Sequence, residues 1–216
     1  MRGLLTLAAL CLPLPALAGT VVGRVELVEK GGKKAVDLSD VVVWVEGVKT
    51  APRPARAGVT MARKSFQPHL VVVPAGSTVD FTNEDPVAHN AFSLTRDSQF
   101  DLGLYKKPQS AARTFDKPGV VRVYCNIHPQ MSAIVVVTDS PYFARTGADG
   151  RFVIEGVPPG RYTLTAWHER ASEASAPVTV PTEGQVEASL SLDGSRYKRA
   201  QHRRKDGSEY GSDDGY

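Results

Sequence analysis

Cysteine is almost missing from this chain. There are two in 216 residues, and the first, Cys11, sits in an apolar leader. That leader reads M-R-G-L-L-T-L-A-A-L-C-L-P-L-P-A-L-A, with one basic residue, an apolar core and the A-x-A triplet Ala16-Leu17-Ala18. The pattern predicts a secretory signal over 1–18, cut after Ala18, and a periplasmic mature protein. The apolar run is too short to cross a bilayer comfortably and holds two prolines, so no membrane span is expected after cleavage. Leu10 stands where a lipobox needs a small residue, so Cys11 is expected to leave with the signal. The mature chain then keeps one thiol, Cys125, and no internal disulfide. A lone thiol in an oxidising compartment is a liability unless something occupies it. A bound metal would do so; the plainer reading is a buried Cys packing as a small hydrophobe.

Charge of one sign is also lacking. The formal net charge is +3, which gives no argument for nucleic acid as a partner of the folded body. No G-x-S-x-G, no H-E-x-x-H and no phosphate loop occurs, so no enzyme is expected. Frequent Gly and Pro with recurrent Val runs favour an all-β chain.

What is present concentrates in Y-C-N-I-H-P-Q-M, residues 124–131. Cys125, His128 and Met131 fall there as C-x2-H-x2-M, on a loop between β-branched runs. His89, in D-P-V-A-H-N, is a fourth candidate. One thiolate, two imidazoles and a weak thioether are the donor set of a mononuclear blue-copper site. One copper ion cycling between Cu(II) and Cu(I) is the expected cofactor. Zinc is the chemical rival, though a thioether is a poor zinc ligand. Met131 could instead be a core residue before a strand. His69, His168, His202 and Met61 are expected to have no metal role.

Along the chain, strands are expected at 20–28, 41–48, 69–73, 78–82, 111–115, 119–124, 132–138, 151–155, 161–167, 177–180 and 185–192. Residues 50–58 read as a Pro-rich linker and 95–110 as a long loop. The stretch 193–216 is polar and aperiodic and is expected to be a disordered charged tail.

Residues 60–138 resemble the cupredoxins, nearest the amicyanin and pseudoazurin branch, through V-x-x-G-x-x-V-x-F-x-N-x-D at Val73–Asp85, then His89-Asn90 and C-x2-H-x2-M. Asn126-Ile127 stand where amicyanin-like loops carry Thr-Pro. The resemblance implies a Greek-key β-sandwich and Asn90 bracing the ligand loop. It also implies electron entry at a His128 edge, with Pro86, Val87, Ala88 and Pro129 as an apolar rim. A redox partner protein, a cytochrome or a dehydrogenase, would dock there.

Residues 139–192 resemble the carboxypeptidase regulatory-like (transthyretin-like) β-sandwich, through A-D-G-R-F-x-I-x-G-V-P-P-G-R-Y-T-L. Residues 19–50 look like the opening strands of that module, which would make it discontinuous with the cupredoxin inserted. The alternative is a tandem in which 19–50 supply the first cupredoxin strands. The whole also resembles exported bacterial proteins labelled methylamine-utilisation or plastocyanin-like. Electron carriage is the leading function. Copper handling without redox turnover, and a surface binding module stapled by a structural metal, are the alternatives.

Overall fold

The computed structural model describes residues 18–198 and 202–211. The signal sequence expected over 1–18 lies outside the described residues except for Ala18. Among the described residues every regular element is a strand, and no helix is long and apolar enough to cross a membrane. The strands are β1 (Gly19–Val28), β2 (Val42–Glu46), β3 (Arg56–Ala62), β4 (Ser65–Gln67), β5 (Leu70–Pro74), β6 (Ser77–Asn83), β7 (His89–Ser93) and β8 (Phe100–Tyr105). They continue as β9 (Ser110–Phe115), β10 (Gly119–Tyr124), β11 (Ser132–Thr138), β12 (Phe143–Arg145), β13 (Arg151–Val157), β14 (Gly160–Trp167), β15 (Ala174–Val180) and β16 (Gln185–Asp193).

These strands form two sandwiches. One pairs the sheet β5-β11-β10-β7-β8 with the sheet β4-β3-β6-β9. The other pairs β13-β1-β16 with β12-β2-β14-β15. β1 and β2 therefore hydrogen-bond to strands from the far end of the chain, and residues 56–138 run between β2 and β12. β1 lies between two neighbours, antiparallel to β13 and parallel to β16. Gly23 is required there: a Cβ would fall 1.9 Å from the Ala188 carbonyl and 2.6 Å from the Phe152 ring.

β11 shows why its sequence, S-A-I-V-V-V-T, is a continuous apolar run rather than an alternating one. Successive side chains point to opposite faces. Ala133, Val135 and Val137 fill the core of their own sandwich. Ile134 and Val136 pack instead with Leu70, Val42 and Trp167, the last two from the other sandwich. Both faces are covered, so no polar position is needed.

Polar contacts pin this seam. His69 places Nδ1 3.0 Å from the Ser132 carbonyl and Nε2 3.0 Å from Glu169 Oε2. Arg145 pairs with Asp40 and donates to the Leu70 carbonyl. Hydrogen bonding to Glu169 holds the His69 pKa above its ordinary value against the opposing effect of burial, and the same bond holds Glu169 below its own. Around the pair stand His168, Arg170, Asp37 and Asp40, with Arg122 also acting on Glu169.

The pair is partly open to solvent, so its worth is about 1 kcal/mol or less. His69's share is fully present below the unfolded histidine pKa and vanishes as pH rises through the raised folded value. Glu169's share is present above the unfolded glutamate pKa and is lost as pH falls through the depressed one. A proton NMR titration of His69 should show a midpoint above that of free histidine. Glu169→Gln should lower that midpoint; an unchanged midpoint would remove the pairing.

Within the stretch 193–216, expected to be a disordered charged tail, the described residues include 202–211. Asp193 ends β16, and residues 202–211 pack against the loop after β10. Polar groups and two aromatic rings anchor it, and such contacts leave no periodic trace in sequence.

Candidate metal centre

The loop from Cys125 to Met131 is short and closes on itself. β10 and β11 are paired in antiparallel register up to Tyr124 and Ser132. Beyond that pair, Cys125 N donates to the Met131 carbonyl at 3.2 Å, and Met131 N to the His128 carbonyl at 3.0 Å. The loop ends are thus fixed by two strands and its middle by its own backbone. β7 runs beside β10, with Phe92 opposite Tyr124, which brings His89 to the same end of the sheet.

Three donors converge there. His89 Nδ1 and His128 Nδ1 are 3.0 Å apart. Cys125 Sγ is 3.6 Å from His128 Nδ1 and 3.9 Å from His89 Nδ1. All three residues are buried, with His89 and Cys125 at 0 % exposure and His128 at 8 %. Donors bound to one first-row ion at about 2.0–2.3 Å are roughly 3–4 Å from one another, so the triangle fits a single ion. Among the described residues this is the one group of three His, Cys, Asp or Glu donors placed to share an ion. Met131 is fully buried in the core cluster that also holds Cys125.

The surroundings favour an anionic sulfur. Burial opposes ionisation of Cys125, but the contact with His89 and backbone N–H groups of Asn90, Ile127 and His128 outweigh it, so the thiol lies below its ordinary pKa. Burial also opposes charging of His89, yet Cys125 and Asp85 together raise its pKa. His128 is shifted down, first by burial and then by the charge of His89.

Asp85 and Asn83 were not picked out as site residues from the sequence. Asp85 Oδ2 lies 2.8 Å from His89 Nε2, so that nitrogen donates and Nδ1 is left bare toward the sulfur. The same carboxylate accepts the backbone N–H groups of Arg63 and Lys64 at 2.6 and 2.7 Å. Those two residues form the β3–β4 turn, both at positive φ, 55° and 53°. The turn therefore presents its N–H groups to the carboxylate that aims the ligand. Asn83 is fully buried, accepts from Asp85 N and donates to the carbonyls of Val87 and Tyr105. The available sequence signal is that both residues close the V-x-x-G-x-x-V-x-F-x-N-x-D run, with the acid four residues before His89.

Asn90 accepts from Asn126 N at 2.7 Å, a side-chain strut between β7 and the ligand loop. Of the expected rim, Pro86 and Val87 are exposed and Ala88 and Pro129 half-buried. Ile127 and Leu104 are further exposed apolar residues on the ligand loop and on β8. Met61 is a core residue, and His69 and His168 lie at the seam.

The chain shows two similarities. The family profile of the carboxypeptidase regulatory-like domain matches residues 119–193. That span begins with β10 and β11, which hydrogen-bond in the sheet of the candidate centre, whereas the sandwich itself takes β1 and β2. Solved cupredoxins match the other part. A novel purple cupredoxin from Nitrosopumilus maritimus is 24% identical over 38% of this chain and 99% of its own, with a TM-score of 0.35. Amicyanin from Paracoccus versutus is 24% identical over 44% of this chain and 97% of its own, with a TM-score of 0.35. A copper-containing nitrite reductase from Thermus scotoductus is 29% identical over 44% of this chain but 25% of its own, with a TM-score of 0.37. A comparison with the curated proteins finds no match.

Proposed function

We propose that this chain is an exported, mononuclear type 1 copper protein that carries single electrons between periplasmic partners. The observation that carries the reading is the buried triangle of His89 Nδ1, His128 Nδ1 and Cys125 Sγ. Copper, when bound, supplies a one-electron couple.

The chain's own residues supply the rest. Cys125 offers an anionic sulfur in a dry site. His89 is held in one tautomer by Asp85, and His128 is held by a loop closed through Met131. Met131, buried in the same core cluster as Cys125, would supply a weak thioether donor. Ligands fixed before the metal arrives have little to rearrange when its charge changes, and small rearrangement favours fast electron transfer. With Met131 as a fourth donor no open position for substrate would remain, which supports a carrier over an enzyme.

His128 is the assigned gateway, because among the ligands it retains some exposure, and exposed Pro86 and Val87 belong to its expected rim. A small apolar rim suits a transient encounter. The second sandwich is assigned as a rigid mount: its Trp167 and Val42 pack on the sheet that carries the ligand loop.

The test is voltammetry of the copper-loaded full chain. A reversible one-electron wave with little broadening at fast scan is expected. Tight copper binding with no reversible wave would favour copper handling over electron carriage.

A further inference from the structure

Residues 202–211 return to the ligand loop and to the adjoining β8 and β10, making contact at three points. Lys205 N donates to Asn126 Oδ1 at 2.9 Å. Lys205 Nζ donates to Asp101 Oδ2 at 2.6 Å. Asp101 Oδ1 accepts from Asn90 Nδ2 at 3.3 Å and from Gly103 N at 3.0 Å. Asn90 Oδ1 accepts from Asn126 N at 2.7 Å. Lys205, Asp101, Asn90 and Asn126 therefore form a closed hydrogen-bonded ring, and the ring includes the residue next to Cys125.

The second point is Tyr210. Its hydroxyl donates to the Cys125 carbonyl at 2.7 Å and lies 2.9 Å from His202 Nε2. The hydroxyl has one proton and a carbonyl can only accept, so His202 Nε2 must be the donor in the other bond. The result is a directed chain: His202 N–H to Tyr210 oxygen, Tyr210 O–H to the Cys125 carbonyl. The third point is aromatic. The His202 ring stacks on Tyr124 at 4.1 Å and 10°, and Tyr210 meets His202 edge-on at 5.1 Å.

We infer that the segment 202–211 is a clasp on the metal loop, with Lys205, His202 and Tyr210 as positioning residues for the Cys125 sulfur. This inference rests on the copper reading for its consequence and on geometry alone for its contacts. Cys125 and His128 stand on either side of Asn126-Ile127. Gripping the Cys125 carbonyl and the Asn126 side chain fixes the peptide planes between these two donors. Polar ring and aromatic stack act on the same short stretch, so loss of one leaves the other in place.

The experiment uses the full chain in three forms: wild type, Tyr210→Phe and Tyr210→Phe/Lys205→Ala. Lys34→Ala, which removes an exposed pair with Glu26 outside the clasp, is the control. One readout is the rate of Cu(II) release to excess EDTA. Losing a single hydrogen bond should speed release about fivefold, and the double change should exceed about tenfold. The second readout is hydrogen exchange of the metal-free protein, in which the Asn126 and Ile127 amides should exchange faster in both variants and not in the control.

Equal release and equal exchange in all forms would overturn the clasp. If the wild type shows no thiolate-to-copper charge transfer, the copper reading fails by itself. The exchange comparison then still decides whether the tail holds the loop.

Discussion

Replacing Cys125 with serine is expected to abolish the thiolate-to-copper charge-transfer band and to lower copper affinity by more than two orders of magnitude. Losing an outer-shell partner costs roughly 10–100-fold, and loss of the sulfur itself should exceed that. The reason lies in the donor chemistry. Cys125 is buried, its thiol is pulled below its ordinary pKa, and it is the soft donor between two imidazoles. A serine hydroxyl is hard and stays protonated at neutral pH. The substitution nearly conserves volume, so the fold should survive; a buried hydroxyl in an apolar cluster costs about 1–3 kcal/mol. Competition with a chromophoric chelator measures the affinity, and thermal unfolding of the metal-free variant separates binding from folding. Retained tight binding with an unchanged band would remove Cys125 from the site.

Asp85→Asn should produce the second-largest effect, a loss of about 10–100-fold in copper affinity with both histidines and the cysteine intact. One carboxylate takes hydrogen bonds from three directions: His89 Nε2, Arg63 N and Lys64 N. An amide offers one oxygen and one NH2 group, so at least one donor would face another donor. Charged acceptors contribute about 1.5–3 kcal/mol per hydrogen bond, so unfolding stability should fall by a similar amount. Asp80→Asn is the matched control, because Asp80 pairs with an exposed Arg56 side chain. The Asp80 variant should bind copper as the wild type does. Equal affinities for Asp85→Asn and wild type would mean that His89 needs no orienting partner.

How much of this was readable in the sequence depends on what kind of force built each part. The strands with continuous or alternating apolar residues, such as β6, β11 and β14, are legible because burial wrote their pattern. β3 and β8 were not. Arg56–Ala62 begins two residues after a proline and carries Gly58, so it reads as a linker, and it becomes a strand by pairing with β6 and β4. Phe100–Tyr105 is mostly exposed or half-buried, and its strand form comes from pairing with β7. A strand held by backbone pairing rather than burial has little compositional signature.

The site shows the same division. Cys125, His128 and Met131 share one loop, so their spacing is visible in one dimension. His89 is separated from them by three strands, β8 to β10, and it stands out through its local D-P-V-A-H-N context. Asp85 is visible as the end of the Val73–Asp85 motif, but its orienting role is not, because two of its three partners are backbone N–H groups from another turn, which no residue type announces. The tail was read as disordered because few apolar residues hold it. What holds it is a ring of four polar groups and a stack of two rings.

The proposed holding of one copper ion by His89, Cys125 and His128 through a single thiolate is tested most directly by the visible and EPR spectrum of the full chain with one equivalent of Cu(II). An intense thiolate-to-copper charge-transfer band with narrow hyperfine splitting is expected. Weak absorption with an ordinary tetragonal EPR signal, or no copper uptake at all, would contradict it.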